Sequence, residues 1–223
     1  MASTGSNDDK LPQVWGDVPP RNPNFTGRKA LLDCLHEVLG RARETAVLPQ
    51  ALHGMGGVGK SQVAIEYVHR HRHEYDLVWW IPAEQEAQIR ASLANLARRL
   101  ELPDLSEVNA VVAVREALST EQQPHRKWLL VFDNAENLQE VRQFFPTGGA
   151  GKILITSRNS GWARAARLLE VDVFTRDESK EFLRTQIERG VRLRRGPTRE
   201  HPRRPAARYR ASRGLEPRDR NVH

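Results

Sequence analysis

One stretch of eight residues constrains this chain more than any other. Gly54-Met-Gly-Gly-Val-Gly59-Lys60-Ser61 fits G-x-x-x-x-G-K-[ST] at every fixed position. Glycine at positions 54, 56, 57 and 59 lets the backbone curl tightly enough for its N–H groups to point at phosphate oxygens. The flanks agree with that use. Val47–His53 is a short, mostly apolar run that stops at the glycines, a buried-strand signal. Lys60–Arg72 continues as a helix with Val63, Ala64, Tyr67 and Val68 on one face. A loop between strand and helix puts the positive helix end under the phosphates. Lys60 then reaches the β- and γ-phosphates and the Ser61 hydroxyl ligates Mg²⁺. Met55, Val58 and Gln62 complete the nucleotide-facing stretch. The expected ligand is ATP or ADP with magnesium.

The rest of the chain supplies a scaffold for such a loop. Leu77–Ile81 (closed by Pro82), Lys127–Phe132, Lys152–Thr156 and Val171–Phe174 read as four further strands. Helical periodicity covers Arg28 to about Arg43, then Glu84–Leu100, Glu107–Ser119 and Asp177–Ile187. Strands alternating with helices imply right-handed βαβ units and a three-layer α/β fold with a five-stranded parallel sheet. Residues 25–188 hold this domain, with the Asp177–Ile187 helix expected to pack on the sheet. Residues 1–24, with Pro12, Pro19, Pro20 and Pro23, read as an extended lead-in. After Arg189 the periodicity stops, and a segment of Arg, Pro, Gly and Ala cannot offset its ordering entropy. Residues 189–223 are therefore expected to be a disordered tail. Such text also resembles an out-of-frame reading of GC-rich DNA.

Charge matters here only through its placement. The net charge is +7 and the pI about 10.1. Residues 189–223 hold 12 Arg, no Lys and 3 acids, leaving 23 basic against 25 acidic residues in 1–188, a net of −2. Basicity thus belongs to the tail, where counterion release could give non-specific affinity but nothing is ordered to read bases, so a nucleic-acid binder is only the alternative reading and no nucleic-acid partner is expected. No apolar run approaches the roughly 20 residues of a membrane span, and residues 1–10 do not read as a secretory signal. The lone Cys34 fits a reducing cytoplasm. It sits among Leu31, Leu35 and Val38 at helical spacing and reads as a small core filler.

Further candidates for chemistry lie at strand ends. Lys127–Asp133 is an apolar run ending in a carboxylate, which supplies a second anchor for Mg²⁺ beside Ser61. Asn134 follows, and its amide cannot take a proton from water, so hydrolysis should be slow or absent. Glu136 lies close enough in sequence to serve as a base. Lys152–Arg158 ends in hydroxyls and an arginine. A parallel sheet sets such ends beside the phosphate loop, where Arg158 can neutralise a γ-phosphate. His69, His71 and His73 alternate, and a two-residue period fans them around a helix rather than onto one face, which argues against metal binding at these histidines. Trp79 and Trp80 read as packing residues.

Together these pieces resemble the NB-ARC module of the STAND nucleotide switches, in particular the bacterial NB-ARC proteins with C-terminal tetratricopeptide repeats. Asn24-Phe-Thr-Gly-Arg28 resembles the family's opening motif, which implies that Phe25, Gly27 and Arg28 line the adenine side. Leu52–Ile65, Tyr75–Pro82, Leu129–Asp133 and Ile155-Thr-Ser-Arg158 are similar to its P-loop, second strand, metal-binding strand and phosphate-sensing arginine motif. Val173–Leu183 resembles the run into its next helical subdomain. The resemblance implies an ADP-held off state, exchange for ATP, slow hydrolysis and self-association through a repeat or winged-helix part. Two departures stand out. Asn134 occupies a position where many members carry a second acid, and the family's Gly-Leu-Pro-Leu-Ala motif does not occur. A small-molecule P-loop kinase is the alternative enzyme class, but no Arg-rich substrate lid separates Asp133 from Lys152.

Overall fold

The longest apolar runs become the middle of the sheet. The computed structural model describes residues 11–40, 49–103, 107–120, 125–159, 161–162 and 166–194. Among these, six parallel strands form one sheet: β1 (Val14–Gly16), β2 (Gln50–His53), β3 (Leu77–Pro82), β4 (Trp128–Asp133), β5 (Lys152–Ser157) and β6 (Arg167–Glu170). Their spatial order is β1-β3-β4-β5-β2-β6. The helices are α1 (Lys29–Gly40), α2 (Lys60–Arg70), α3 (Glu86–Arg99), α4 (Glu107–Ser119), α5 (Leu138–Arg142) and α6 (Arg176–Arg194).

Side chains alternate across each strand, so one run feeds two cores. Leu77, Trp79, Ile81, Leu130, Phe132, Ile153 and Ile155 face a cluster that includes Ile89, Leu93 and Leu96 of α3. Val78, Trp80, Leu129, Val131 and Leu154 face the opposite cluster, built on Leu32, Leu35 and Leu39 of α1 and Val63, Tyr67 and Val68 of α2. The buried indoles keep their N–H groups satisfied: Trp79 donates to Ser92 Oγ (3.0 Å) and Trp128 to the Leu118 carbonyl (2.8 Å).

The α/β class and the parallel sheet are as read from the sequence, and the structure revises four details. A sixth strand, β1, lies inside the segment taken for an extended lead-in; at three residues it is too short to show a period. The last strand is Arg167–Glu170 rather than Val171–Phe174. Its partner β2 spans only Gln50–His53, and the ladder closes where the Val171 N–H donates to the His53 carbonyl (2.7 Å). Cys34 is exposed, because Leu32, Leu35, Val38 and Leu39 form the buried stripe of α1 and position 34 falls outside it. Finally, α6 does not pack on the sheet. It leaves from beyond the edge strand, none of its residues 176–187 is fully buried, and Leu183 and Ile187 are 58% and 63% exposed. This helix continues to Arg194, past the boundary at 189. Residues 1–10 and 195–223, with most of the Arg-rich tail, lie outside the described residues.

Candidate phosphate-binding site

The sheet order decides what can meet at the loop. β5 sits between β2, which runs into the glycines, and β4, which ends in Asp133. The carboxyl ends of three neighbouring parallel strands therefore converge at the N-terminus of α2, where ligands bind in open α/β sheets. Two glycines are irreplaceable on geometry. Gly59, the residue preceding α2, has φ 94°, and a Cβ on Gly54 would stand 2.3 Å from the Val171 carbonyl oxygen.

Lys60 is buried, and its ammonium donates to the carbonyl oxygens of Gly54 and Met55, both at 2.8 Å. Burial pulls its pKa below the ordinary lysine value, the Arg158 guanidinium pulls the same way, and Asp133 opposes them. Ser61 Oγ donates to Asp133 Oδ1 at 2.7 Å, joining loop to strand across 72 positions of sequence. Thr156 Oγ1 donates to that same oxygen at 2.5 Å and accepts from the Asn134 N–H at 2.8 Å. The serine hydroxyl and the carboxylate are hard oxygen donors of the kind Mg²⁺ prefers.

The other acids and cations around the loop are placed as follows. Asn134 adopts φ 61°, and its amide donates to Glu84 Oε1 at 2.5 Å. Arg158 lies along Gly56, with its Nε 3.7 Å from where a Cβ would stand. It also comes within 4.0 Å of Glu136, and both side chains are 60% exposed. Glu136 thus faces solvent beside Arg158 rather than the Ser61–Asp133 pair.

Next to the loop is a cavity of about 460 Å³, within the roughly 300–1,000 Å³ range of ligand pockets. Phe25, Val58, Phe174 and Phe182 give it apolar walls, and Asn22, Arg28 and Gln62 give it polar ones. Asn22 Nδ2 donates to Gln62 Oε1 at 3.0 Å. Arg28 packs over the Phe174 ring at 4.6 Å and donates to the Asp172 carbonyl. Glu178 closes this corner. One oxygen accepts from the Thr175 N–H (2.9 Å), and the other from the Arg28 N–H (3.0 Å). The Glu178 N–H returns a bond to Thr175 Oγ1 (3.3 Å), completing a capping box at the start of α6. Burial would raise the Glu178 pKa, but the backbone N–H groups of Thr175 and Arg28 outweigh it and hold the carboxyl below its usual range.

A family model for the NB-ARC domain matches residues 28–190. The chain belongs to the NB-ARC family. Among curated relatives, a nucleotide-binding leucine-rich repeat (NLR)-like protein of Hyaloscypha variabilis is 26% identical over 201 residues, covering 76% of this chain and 20% of that protein. The regulatory protein AfsR of Streptomyces griseus is 29% identical over 171 residues, covering 74% and 18%. AfsR of Streptomyces coelicolor is 30% identical over 173 residues, covering 73% and 17%. The chain spans about a fifth of the length of these relatives. In fold, this NB-ARC domain is similar to the Aeropyrum pernix ORC2 protein, solved in ADPNP–ADP complexes (TM-score 0.50, 15% identity, 77% of this chain and 54% of that one). It is also similar to Drosophila ORC bound to DNA (TM-score 0.51, 14% identity, 77% and 48%).

The NB-ARC domain is a nucleotide-binding domain, and two of its polar side chains at the site escaped the sequence reading. Thr156 lay in a stretch noted for its hydroxyls, without a partner assigned. Glu178 carried a readable signal, the Thr175-x-x-Glu178 capping box, but its tie to Arg28 crosses 150 positions. No helix among the described residues is long and apolar enough to cross a membrane.

Proposed function

We propose that the domain binds Mg·ADP and Mg·ATP over Gly54–Ser61 and serves as the nucleotide-controlled switch of a longer STAND-type signalling protein. The observation that carries this reading is the 2.7 Å contact of Ser61 Oγ with Asp133 Oδ1, which brings two hard oxygen donors together at the foot of the loop. Ser61 Oγ and Asp133 Oδ1 would hold Mg²⁺ there, and the ion would supply positive charge to offset that of the phosphates. Lys60 supplies a nearby cation whose two carbonyl partners can be exchanged for phosphate oxygens. Phe25, Phe174 and Phe182 offer aromatic surface to a base, with Arg28 at the same wall, while Gly27 lies against the Glu178 side chain. The names of the curated relatives, a regulatory protein and a nucleotide-binding protein, support a signalling role. Partners and self-association belong on this reading to parts beyond the NB-ARC domain, acting in the cytoplasm.

Lys60→Ala tests the site. It removes a charge-assisted contact worth about 1.5–3 kcal/mol, or roughly 10- to 150-fold in affinity. Titration calorimetry with Mg·ADP on both proteins measures the ratio, and equal affinities would sink the assignment.

Slow turnover is part of the proposal. Asn134 sits beside Asp133 without a proton-accepting oxyanion, its amide engaged by Glu84, while Glu136 turns toward Arg158. General-base assistance is worth about 10²–10⁴ in rate. Asn134→Asp should therefore raise phosphate release measurably. A wild-type rate above about 1 s⁻¹, ordinary for a competent enzyme, would contradict the claim.

A further inference from the structure

The far end of α2 carries a second cluster that the phosphate site does not use. Three side chains from three places meet there: His36 from α1, His71 at the residue capping α2, and Glu74 from the short 3-10 turn Arg72–Glu74. Each offers one ligand atom, and all three atoms lie within 4.8 Å of one another. His71 Nδ1 is 2.7 Å from Glu74 Oε1, and His36 Nδ1 is 3.8 Å from the same oxygen. Among the described residues no hydrogen-bond partner reaches His36 Nδ1, although that atom is buried. The His71 ring is held from both sides, stacked on His36 at 4.1 Å and on Tyr67 at 4.6 Å.

We propose that His36, His71 and Glu74 form a binding site for a divalent transition ion of the zinc class, which ties α1 to the C-terminal end of α2. Two imidazoles and a carboxylate suit Zn²⁺ or Co²⁺, whereas Mg²⁺ demands oxygen ligands. Ligand atoms around a tetrahedral Zn²⁺ stand about 3.3 Å apart at bond lengths near 2.05 Å, and the 2.7 and 3.8 Å separations bracket that spacing. One rearrangement is needed, because two imidazoles lying nearly parallel do not both aim an in-plane lone pair at one ion. The His36 ring, 43% exposed, swings off the His71 face to point its unpartnered nitrogen at the ion, and the proton between His71 Nδ1 and Glu74 gives way to one on His71 Nε2, so that Nδ1 of a neutral ring is free to bind. Other groups facing the cluster are the Tyr67 and Tyr75 hydroxyls, bonded to each other at 3.0 Å, and Lys152, on which the Glu74 carboxylate acts. His73 Nε2 stands 4.0 Å from Glu74 Oε1 and is the nearest candidate for a fourth ligand. The phosphate loop begins the same helix, 11 residues away at about 1.5 Å each, so the two sites do not share ligands.

The experiment uses the full untagged chain, freed of metal with a chelator. Co²⁺ is titrated while its visible absorption is followed, and Zn²⁺ is then used to displace it. One Co²⁺ per chain is expected, with the strong visible bands of a four- or five-coordinate ion. His36→Gln, His71→Gln and Glu74→Gln should each weaken binding by about 10- to 100-fold or more, as loss of a metal-site contact does. Zn²⁺ at about 100 times its Kd should raise the Tm of the wild type by about 5–10 °C, and that of His36→Gln far less. Lys60→Ala should keep full Co²⁺ affinity while losing Mg·ADP, which separates this site from the phosphate loop. Absence of a saturable Co²⁺ spectrum, or equal affinity in all three variants, would overturn the proposal. His36→Gln changes a half-exposed side chain, so its fold can be verified by circular dichroism even if the His71 variant proves unstable.

Discussion

Replacing Thr156 with valine tests how the carboxylate of Asp133 is held. The Thr156 side chain is almost wholly buried and makes two bonds at once: its hydroxyl donates to Asp133 Oδ1 at 2.5 Å and accepts from the Asn134 N–H at 2.8 Å. Valine keeps the shape and removes both. The Asn134 N–H then loses its partner in a half-buried turn, a cost of about 1–3 kcal/mol, and Asp133 loses a charge-assisted bond of about 1.5–3 kcal/mol. Ser61 still reaches Asp133 and water can approach the half-buried carboxylate, so these terms do not add. The net loss should be about 2–3 kcal/mol. Urea unfolding monitored by tryptophan fluorescence should show a lower midpoint with an unchanged slope. Mg·ADP affinity should fall about tenfold, while ADP affinity measured with the metal chelated should change much less. Thr156→Ser, which keeps the hydroxyl, should recover most of both losses. If valine matches wild type in stability, or serine behaves like valine, the hydroxyl is not what positions Asp133.

Two further substitutions probe the walls of the cavity and the base of α2. Glu178→Ala removes the capping box and the acceptor for the Arg28 N–H, a loss of about 1 kcal/mol and about fivefold in nucleotide affinity; hydrogen exchange in the first turn of α6 should accelerate, and unchanged protection there would refute the tie. Glu66 is buried between Arg21 (2.8 Å) and Arg70 (2.7 Å). Burial would raise its pKa, but those two guanidinium groups outweigh it and hold the folded value below the unfolded one. The stabilisation is therefore present above the unfolded pKa, near pH 4.3–4.5, and is lost as pH falls through that value toward the folded one. Because both arginines are well exposed, Glu66→Gln should cost only about 1 kcal/mol at pH 7 and nearly nothing at pH 3.5; an equal deficit at both pH values would show that charge is not the cause.

What was legible in the sequence was what is local in it. The loop from Gly54 to Ser61 declares itself because all its contacts to phosphate come from consecutive residues. β3, β4 and β5 were recognisable because strands covered on both faces stay apolar throughout. β1 was missed because Val14–Gly16 borrows its place from β3, and three residues carry no period of their own. Val173 and Phe174 have strand-like composition, yet they are 67% and 38% exposed and line the cavity instead of pairing. Helical spacing over Asp177–Ile187 pointed to an apolar face against the sheet, but periodicity does not say what a helix meets, and Leu183 and Ile187 stay exposed. The histidines show the same limit: a comparison of His69, His71 and His73 considered only neighbours in sequence, while His71 meets His36 from another helix.

The walls of the cavity come from residues 22–28, 55–63 and 173–182. During synthesis the phosphate loop leaves the ribosome early, but the third wall and the Glu178 anchor follow more than a hundred residues later. A nascent chain that ends before Glu178 can display the loop without enclosing anything beside it. On the proposed reading, the cavity beside the loop is enclosed only once translation has passed the start of α6, so full nucleotide affinity is expected late in synthesis, when its stabilisation can reach the whole domain.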